Sequence, residues 1–271
     1  MRTAQDRFRA QAALPSGSSC LNVAAILLAA AAGCVGGTMN ALAGGGTFAT
    51  LPALIALGLP ANRANATSNV ALLPGAATSA FEFRDELEPL GDLAVRTLAA
   101  ITFAGGMIGS ILLVLTPSRE FDVIIPWLLL LGLVVMLFGR SASEWLHERL
   151  TIGRRTLVIA QSLLAIYGGY FGGGVGLMTT ATYGLLAGAD PRSLFAVRTL
   201  MLAVANFAAA ILFITVGLVS WLLCLPMLIG SIVGGWIGAK IGRRLSPRLV
   251  RAWTLLVTAT TTIVFFVRAY H

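Results

Sequence analysis

Apolar residues run in long blocks along this chain, with short polar punctuation between them. Blocks near the roughly 20 residues that a helix needs to cross a bilayer fall at 21–39, 93–116, 121–139, 196–216, 218–239 and 249–267. Two shorter apolar blocks, 46–59 and 174–188, each follow a run of three glycines, in "ALAGGG" (41–46) and "GYFGGG" (169–174). They are too short to cross comfortably and predict re-entrant or half-membrane elements.

The glycine runs also reveal a duplication. Setting Gly44, Gly45 and Gly46 over Gly172, Gly173 and Gly174 gives an offset of 128. Gly58 then matches Gly188 and Ala66 matches Ala196 at 130, "GGMIG" (105–109) matches "GGWIG" (234–238) at 129, and Pro117 matches Pro247 at 130. Each half reads as five segments: about 21–40, 46–59, 66–83, 93–116 and 121–139, then about 155–171, 174–188, 196–216, 218–239 and 249–267. An odd number per half makes the halves enter the membrane in opposite senses. The expected fold is therefore an all-α polytopic membrane protein of two inverted-topology repeats. Each has about five apolar segments, including one short half-membrane element after a Gly run. The expected divisions are a polar N-terminal tail (1–19), a first repeat (20–139), a charged loop (140–154) and a second repeat (155–271). Arg2, Arg7 and Arg9 ahead of an apolar stretch, with "AAGC" at 31–34, imitate a cleaved signal. The counterpart of 21–43 at 155–171 makes that stretch a first membrane helix instead.

Composition agrees: 57% of residues are hydrophobic and only 11% charged, against roughly 25% charged in soluble domains. The net charge of +8 does not point to nucleic acid, because the basic residues lie between the apolar runs, where topology places them. With the N-terminus outside, thirteen basic residues fall inside (Arg84, Arg96, Arg140, Arg149, Arg154, Arg155, Arg192, Arg198, Lys240, Arg243, Arg244, Arg248, Arg251). Six fall outside (Arg2, Arg7, Arg9, Arg63, Arg119, Arg268). Cys20, Cys34 and Cys224 form no close pair, and His147 and His271 are peripheral, so no metal site or cofactor is expected. There is no GxxxxGK[ST] phosphate loop, hence no ATPase. No carboxylate falls mid-membrane, which points away from a cation antiporter and toward an anion or neutral solute, and no catalytic set can be assembled there. The chain is not expected to be an enzyme.

Three glycines in a row let the backbone unwind at membrane depth, where non-helical chain must line a cavity or be buried in protein. Two such breaks in matching positions point to a midplane substrate site. Packing through small residues is the alternative, and it accounts for Gly105, Gly109, Gly234 and Gly238. The polar cluster Asn65, Thr67, Ser68 and Asn69 can line a hydrated path with donors for an oxyanion. Arg198 and Thr199 occupy the matching places in the second half, at offset 130. Arg198 offers a planar, permanently charged fork for carboxylate, sulfonate or sulfite, or else anchors a helix start at the inner face. Asn40 and Asn206 are intramembrane amides, for substrate or for helix-to-helix bonding; Thr179, Thr180 and Tyr183 face the cavity or make ordinary contacts between helices.

The segment "AGGGTFATLPALIALGLPANRANATSN", with its echo "GGYFGGGVGLMTTATYGLLAGADPRSLFAVRT", resembles the sulfite exporter TauE/SafE family from about residue 22 to 267. In the echo, Val197-Arg198-Thr199 stands in the region that holds Ala66-Thr67-Ser68 in the first half, with Arg198 over Ser68 at offset 130. The resemblance implies a secondary transporter of sulfite, sulfoacetate or related anions in the bacterial inner membrane, working by alternating access. A non-transporting membrane scaffold or accessory subunit is the alternative. The expected partners are a small anionic substrate and membrane lipid, but no nucleic acid; a homodimer stays open.

Overall fold

The computed structural model describes residues 23–147, 153–187, 193–242 and 247–270. The helices there are α1 (Val23–Ala43), α2 (Thr47–Ala56), α3 (Ala61–Glu82), α4 (Val95–Leu115) and α5 (Ser118–His147), then α6 (Arg154–Tyr170), α7 (Val175–Ala187), α8 (Ser193–Thr215), α9 (Trp221–Gly242) and α10 (Pro247–Tyr270). Among the described residues the rest is connection, apart from a 3₁₀ turn at Arg84–Glu86 and an isolated bridge between Leu90 and Leu93. Between their ends, helices satisfy their backbone polar groups internally, as an apolar solvent requires. Five are long and apolar enough to cross a membrane: Val23–Ala43, Val95–Leu115, Leu194–Thr215, Trp221–Ile241 and Ala252–Tyr270. Large apolar side chains such as Leu222, Leu225, Ile229 and Trp236 on α9 face outward. After each glycine run the helix is short, 10 residues in α2 and 13 in α7.

Two boundaries differ from the sequence expectation. Helix α3 begins at Ala61 rather than 66, directly after Pro60 (φ −55°, ψ 145°). Its polar first turn finds partners within the protein: Asn62 bonds the Ser118 hydroxyl, Arg63 donates to Leu218 O at 3.5 Å, and Asn65 donates to Tyr170 O at 3.0 Å. A hydropathy criterion cannot recognise such a start. Helix α5 runs past 139 to His147, into the stretch expected to be a charged loop. Residues 141–147 contain no Gly or Pro to stop it.

Glycines set the closest helix contacts. A Cβ on Gly234 would lie 1.9 Å from Cys34 O, and one on Gly37 2.2 Å from Ser231 O, so α1 and α9 touch backbone to backbone. Helices α4 and α6 do the same: a Cβ on Gly109 would lie 2.0 Å from Ile166 O, and one on Gly169 2.1 Å from Gly106 O. Small residues permit this approach where water supplies no driving force. Gly234→Leu should accordingly force the α1–α9 seam apart and cost about 1–3 kcal/mol, read as a lowered unfolding temperature of the detergent-solubilised protein.

Contact registers fix the helix directions. Gly33 packs on Met227 and Gly37 on Ser231, so α1 and α9 are parallel. Helix α3 joins them, since the Thr67 hydroxyl accepts from Ser220 N–H at 3.0 Å and Ser231 Oγ donates to Ala71 O. Helix α4 runs parallel to α8 (Thr102 on Met201, Gly106 on Ala205) and to α6 (Gly105 on Ala165, Gly109 on Ile166). Trp127 Nε1 donates to Tyr270 OH at 2.9 Å, near the start of α5 and the end of α10, so these two are antiparallel. Connections 57–60, 116–117 and 216–220 share one end of the bundle, tied by the Asn62–Ser118 and Arg63–Leu218 bonds. The connection 83–94 lies at the other.

Candidate functional site

Both glycine runs interrupt the helical path. Helix α1 stops at Ala43 because Gly44 turns left-handed (φ +73°), its N–H returning to Met39 O at 3.1 Å and Asn40 O at 2.9 Å. Helix α6 stops at Tyr170 in the same way, with Gly172 at φ +75°. L-residues with a Cβ rarely adopt this conformation. The two breaks also touch: a Cβ on Gly44 would lie 2.5 Å from Gly176 Cα, and one on Gly176 2.6 Å from Gly44 Cα. Gly45, Gly46, Gly173 and Gly174 complete the two breaks. Gly46 packs against Gly36 O, Gly173 against the Phe171 ring, and Gly45 and Gly174 against Phe48.

Two unsatisfied donors stand at the end of α1. Asn40 spans the break, its Oδ1 accepting Gly46 N–H at 3.3 Å, which leaves its buried Nδ2 without a partner. Arg198, on α8, is 5% exposed. Its Nη2 reaches Ala41 O at 3.5 Å, its guanidinium carbon lies 4.2 Å from the centre of the Phe195 ring, and its Nε has no partner. Among the described residues the ion pair is Arg84–Asp85, at the surface, and no carboxylate meets Arg198. A buried cation in this state lacks the compensation that burial of charge normally requires. Helix α7 starts against Gly44, three residues beyond Ala41, and the first amides of any helix have no intrahelical acceptors.

The first-half polar cluster is placed differently. Asn65 donates to Tyr170 O and keeps a buried, unpartnered Oδ1. The Thr67 hydroxyl is engaged by Ser220 N–H, and Ser68 bonds Thr50. Asn69 Nδ2 donates to Asn206 Oδ1 at 3.2 Å where α3 meets α8, leaving Asn69 Oδ1 unpartnered. Thr199 donates to Phe195 O at 2.7 Å, and Thr179 is buried on α7. Tyr183 belongs to another network: its hydroxyl donates to Gln161 Oε1 at 2.6 Å, within an apolar cluster with Leu98, Leu157 and Met201. The structure thus gathers Asn40, the glycines, Asn65, Asn69, Arg198 and Asn206 around the breaks, and sets Tyr183 apart.

Sequence reasoning missed several neighbours. Thr50 holds Ser68, and Thr261 on α10 donates to Phe48 O at 3.2 Å in the first turns of α2. Thr254, Thr258 and Thr261 recur every three or four residues, and all three are buried. That helical spacing was a usable signal. Gln161 carried none.

A helical membrane bundle broken twice at facing glycine runs, with unsatisfied buried polar groups at their meeting point, is the architecture of a membrane transporter. The chain belongs to the sulfite exporter TauE/SafE family, whose model matches residues 29–265. It is similar to the probable membrane transporter protein YfcA of Escherichia coli, with 28% identity over 225 residues, 82% of each chain. A probable membrane transporter protein of Haemophilus influenzae is 28% identical over 204 residues, covering 74% of this chain and 79% of its own. The probable membrane transporter protein ORF9 of a Sinorhizobium species is 27% identical over 205 residues, 74% of this chain and 76% of its own. No solved structure matches the chain significantly.

Proposed function

We propose that this transporter carries a small sulfur oxyanion or organosulfur anion, such as sulfite, sulfoacetate or a similar sulfonate or carboxylate, across the bacterial inner membrane by alternating access. Its site is the meeting point of the two breaks. The observation that carries this is Arg198, buried, with an open Nε donor and no carboxylate partner among the described residues. A bound oxyanion supplies the missing counter-charge. It receives the guanidinium fork, Asn40 Nδ2 and the positive N-terminal end of α7. Saturable, competitor-sensitive flux of radiolabelled sulfite or sulfoacetate into proteoliposomes is the expected result. A scaffold would give none.

Alternating access rests on inversion of the halves. In support, α1, α3, α5 and α9 run one way and α4, α6, α8 and α10 the other, so α1 opposes α6, α3 opposes α8, α4 opposes α9 and α5 opposes α10. Arg84, Arg96, Arg154, Arg155 and Lys240 lie toward the end that carries connection 83–94, and Arg63, Arg119 and Arg268 toward the opposite end. The positive-inside rule puts the first end in the cytoplasm. Single cysteines replacing the exposed Glu88 and Arg119 should therefore react with impermeant maleimide from opposite faces, Arg119→Cys from the periplasm and Glu88→Cys only after the cells are opened. Labelling of both from one face would refute the arrangement.

A further inference from the structure

The two breaks differ at the negative ends of the helices that lead into them. At the end of α1 a built-in cation, Arg198, lies over Ala41 O. The position matched to it in the first half is Ser68, a neutral hydroxyl already bonded to Thr50. At the end of α6 a neutral amide takes that place: Asn65 Nδ2 donates to Tyr170 O, and the amide's oxygen is left without a partner. Asn65 is 1% exposed, and its orientation is set by the bond from Nδ2 to Tyr170 O, so its bare Oδ1 is an oxygen and not a misassigned nitrogen. One helical turn along α3, Asn69 is 5% exposed and also keeps a bare Oδ1. The three atoms nearest to a Cβ placed on Gly172 are all polar: Gly168 O at 3.5 Å, the Asn69 amide nitrogen at 3.6 Å and Thr47 Oγ1 at 3.8 Å. If both amides of the Asn69–Asn206 pair turn over, the hydrogen bond is kept with Asn69 Oδ1 as its acceptor, and that oxygen takes the place beside Gly172 with its second lone pair open to an ion. Arg63, two residues from Asn65, is committed elsewhere, to Leu218 O.

We infer that the end of α6 binds a bare monovalent cation, liganded by the amide oxygens of Asn65 and Asn69, the Thr47 hydroxyl and a last-turn carbonyl of α6. Helix C-termini and unwound carbonyls are suited to such an ion. Neutral oxygens without a carboxylate favour a single positive charge over a divalent ion. No ligand in the set titrates, so the ion is a metal cation and not a proton. The cation sits where the second break lacks a counterpart to Arg198. A bound anion would then lie between two positive charges, one fixed and one borrowed. The site goes beyond the anion reading and stands on its own atoms.

The test uses the purified full-length protein. Thermal unfolding in NaCl, KCl and choline chloride at equal ionic strength should show a saturable rise in unfolding temperature with Na⁺ that choline does not give. Stoichiometric ²²Na⁺ binding should accompany it. Asn65→Ala should weaken Na⁺ binding at least tenfold, and Asn65→Asp should retain or strengthen it, which separates lost ligation from lost fold. Arg198→Gln should leave Na⁺ binding intact. Equal responses to Na⁺ and choline, as for a site filled by water, would overturn the inference. So would unchanged ²²Na⁺ binding in a folded Asn65→Ala protein. Na⁺ binding without any anion flux would refute the anion reading and leave this one standing.

Discussion

Arg198→Gln is expected to weaken oxyanion binding by roughly ten- to more than a hundredfold, about 1.5–3 kcal/mol, the range for hydrogen bonds to charged groups. The glutamine keeps a polar side chain of similar reach but removes the only positive charge that the described residues bring to the breaks. Arg198→Lys should recover part of the affinity, because charge returns without the planar fork. Titration of sulfite against the unfolding temperature of the purified variants checks both. A mere anchor at the inner face would behave differently: its loss would disturb insertion and leave affinity unchanged in the correctly inserted fraction. The contact with Ala41 O gives Arg198 a structural share as well, so a modest drop in stability should accompany the loss of binding.

Gly44→Ala should be the most damaging single change at the breaks. The left-handed backbone costs an L-residue about 1–2 kcal/mol, and the added methyl would meet Gly176 Cα at 2.5 Å, backbone that cannot swing aside. Overpacking of that kind adds about 1–3 kcal/mol. Gly45→Ala makes the matched control. Gly45 is outside the left-handed region, and its Cβ would meet side chains and not backbone, the Phe48 ring at 3.0 Å and Thr254 Cγ2 at 3.8 Å. Flux per inserted molecule should therefore fall steeply for Gly44→Ala and little for Gly45→Ala. Equal effects would mean that the run acts through small size and not through the turn.

Which glycine of each run carries the constraint was not legible in the sequence. Three glycines announce a break, but the left-handed φ at Gly44 in the first run, and at both Gly172 and Gly174 in the second, depends on how α2 and α7 fold back, a property of the whole packing. The apolar blocks were legible because a bilayer sets their length, and the helices follow them closely except where polar residues open α3 and where α5 continues to His147. The Asn69–Asn206 bond was beyond reach: it joins residues 137 apart, and an amide alone does not name its partner. Thr67 and Ser68 read as open donors in the sequence, yet the Thr67 hydroxyl accepts from Ser220 N–H and the Ser68 hydroxyl is paired with that of Thr50. Tyr183, close to the second glycine run in sequence, turns away because Gln161 offers its hydroxyl an acceptor at 2.6 Å. Arg198 was legible as a charge inside an apolar helix. Its isolation was not, since that requires knowing which carboxylates stay distant.

The most direct measurement is a crystal structure of the protein soaked with selenite, whose selenium scatters anomalously and whose oxyanion has the form of sulfite. The site proposed here requires an anomalous peak at the end of α1, with anion oxygens about 3 Å from Arg198 Nε and Asn40 Nδ2. A cleft of about 660 Å³ between the ends of α3 and α9, lined by Ser79, Glu82, Trp236 and Lys240, is the competing location. A peak there, with none beside Arg198, would contradict the placement of the transport site at the meeting of the two breaks.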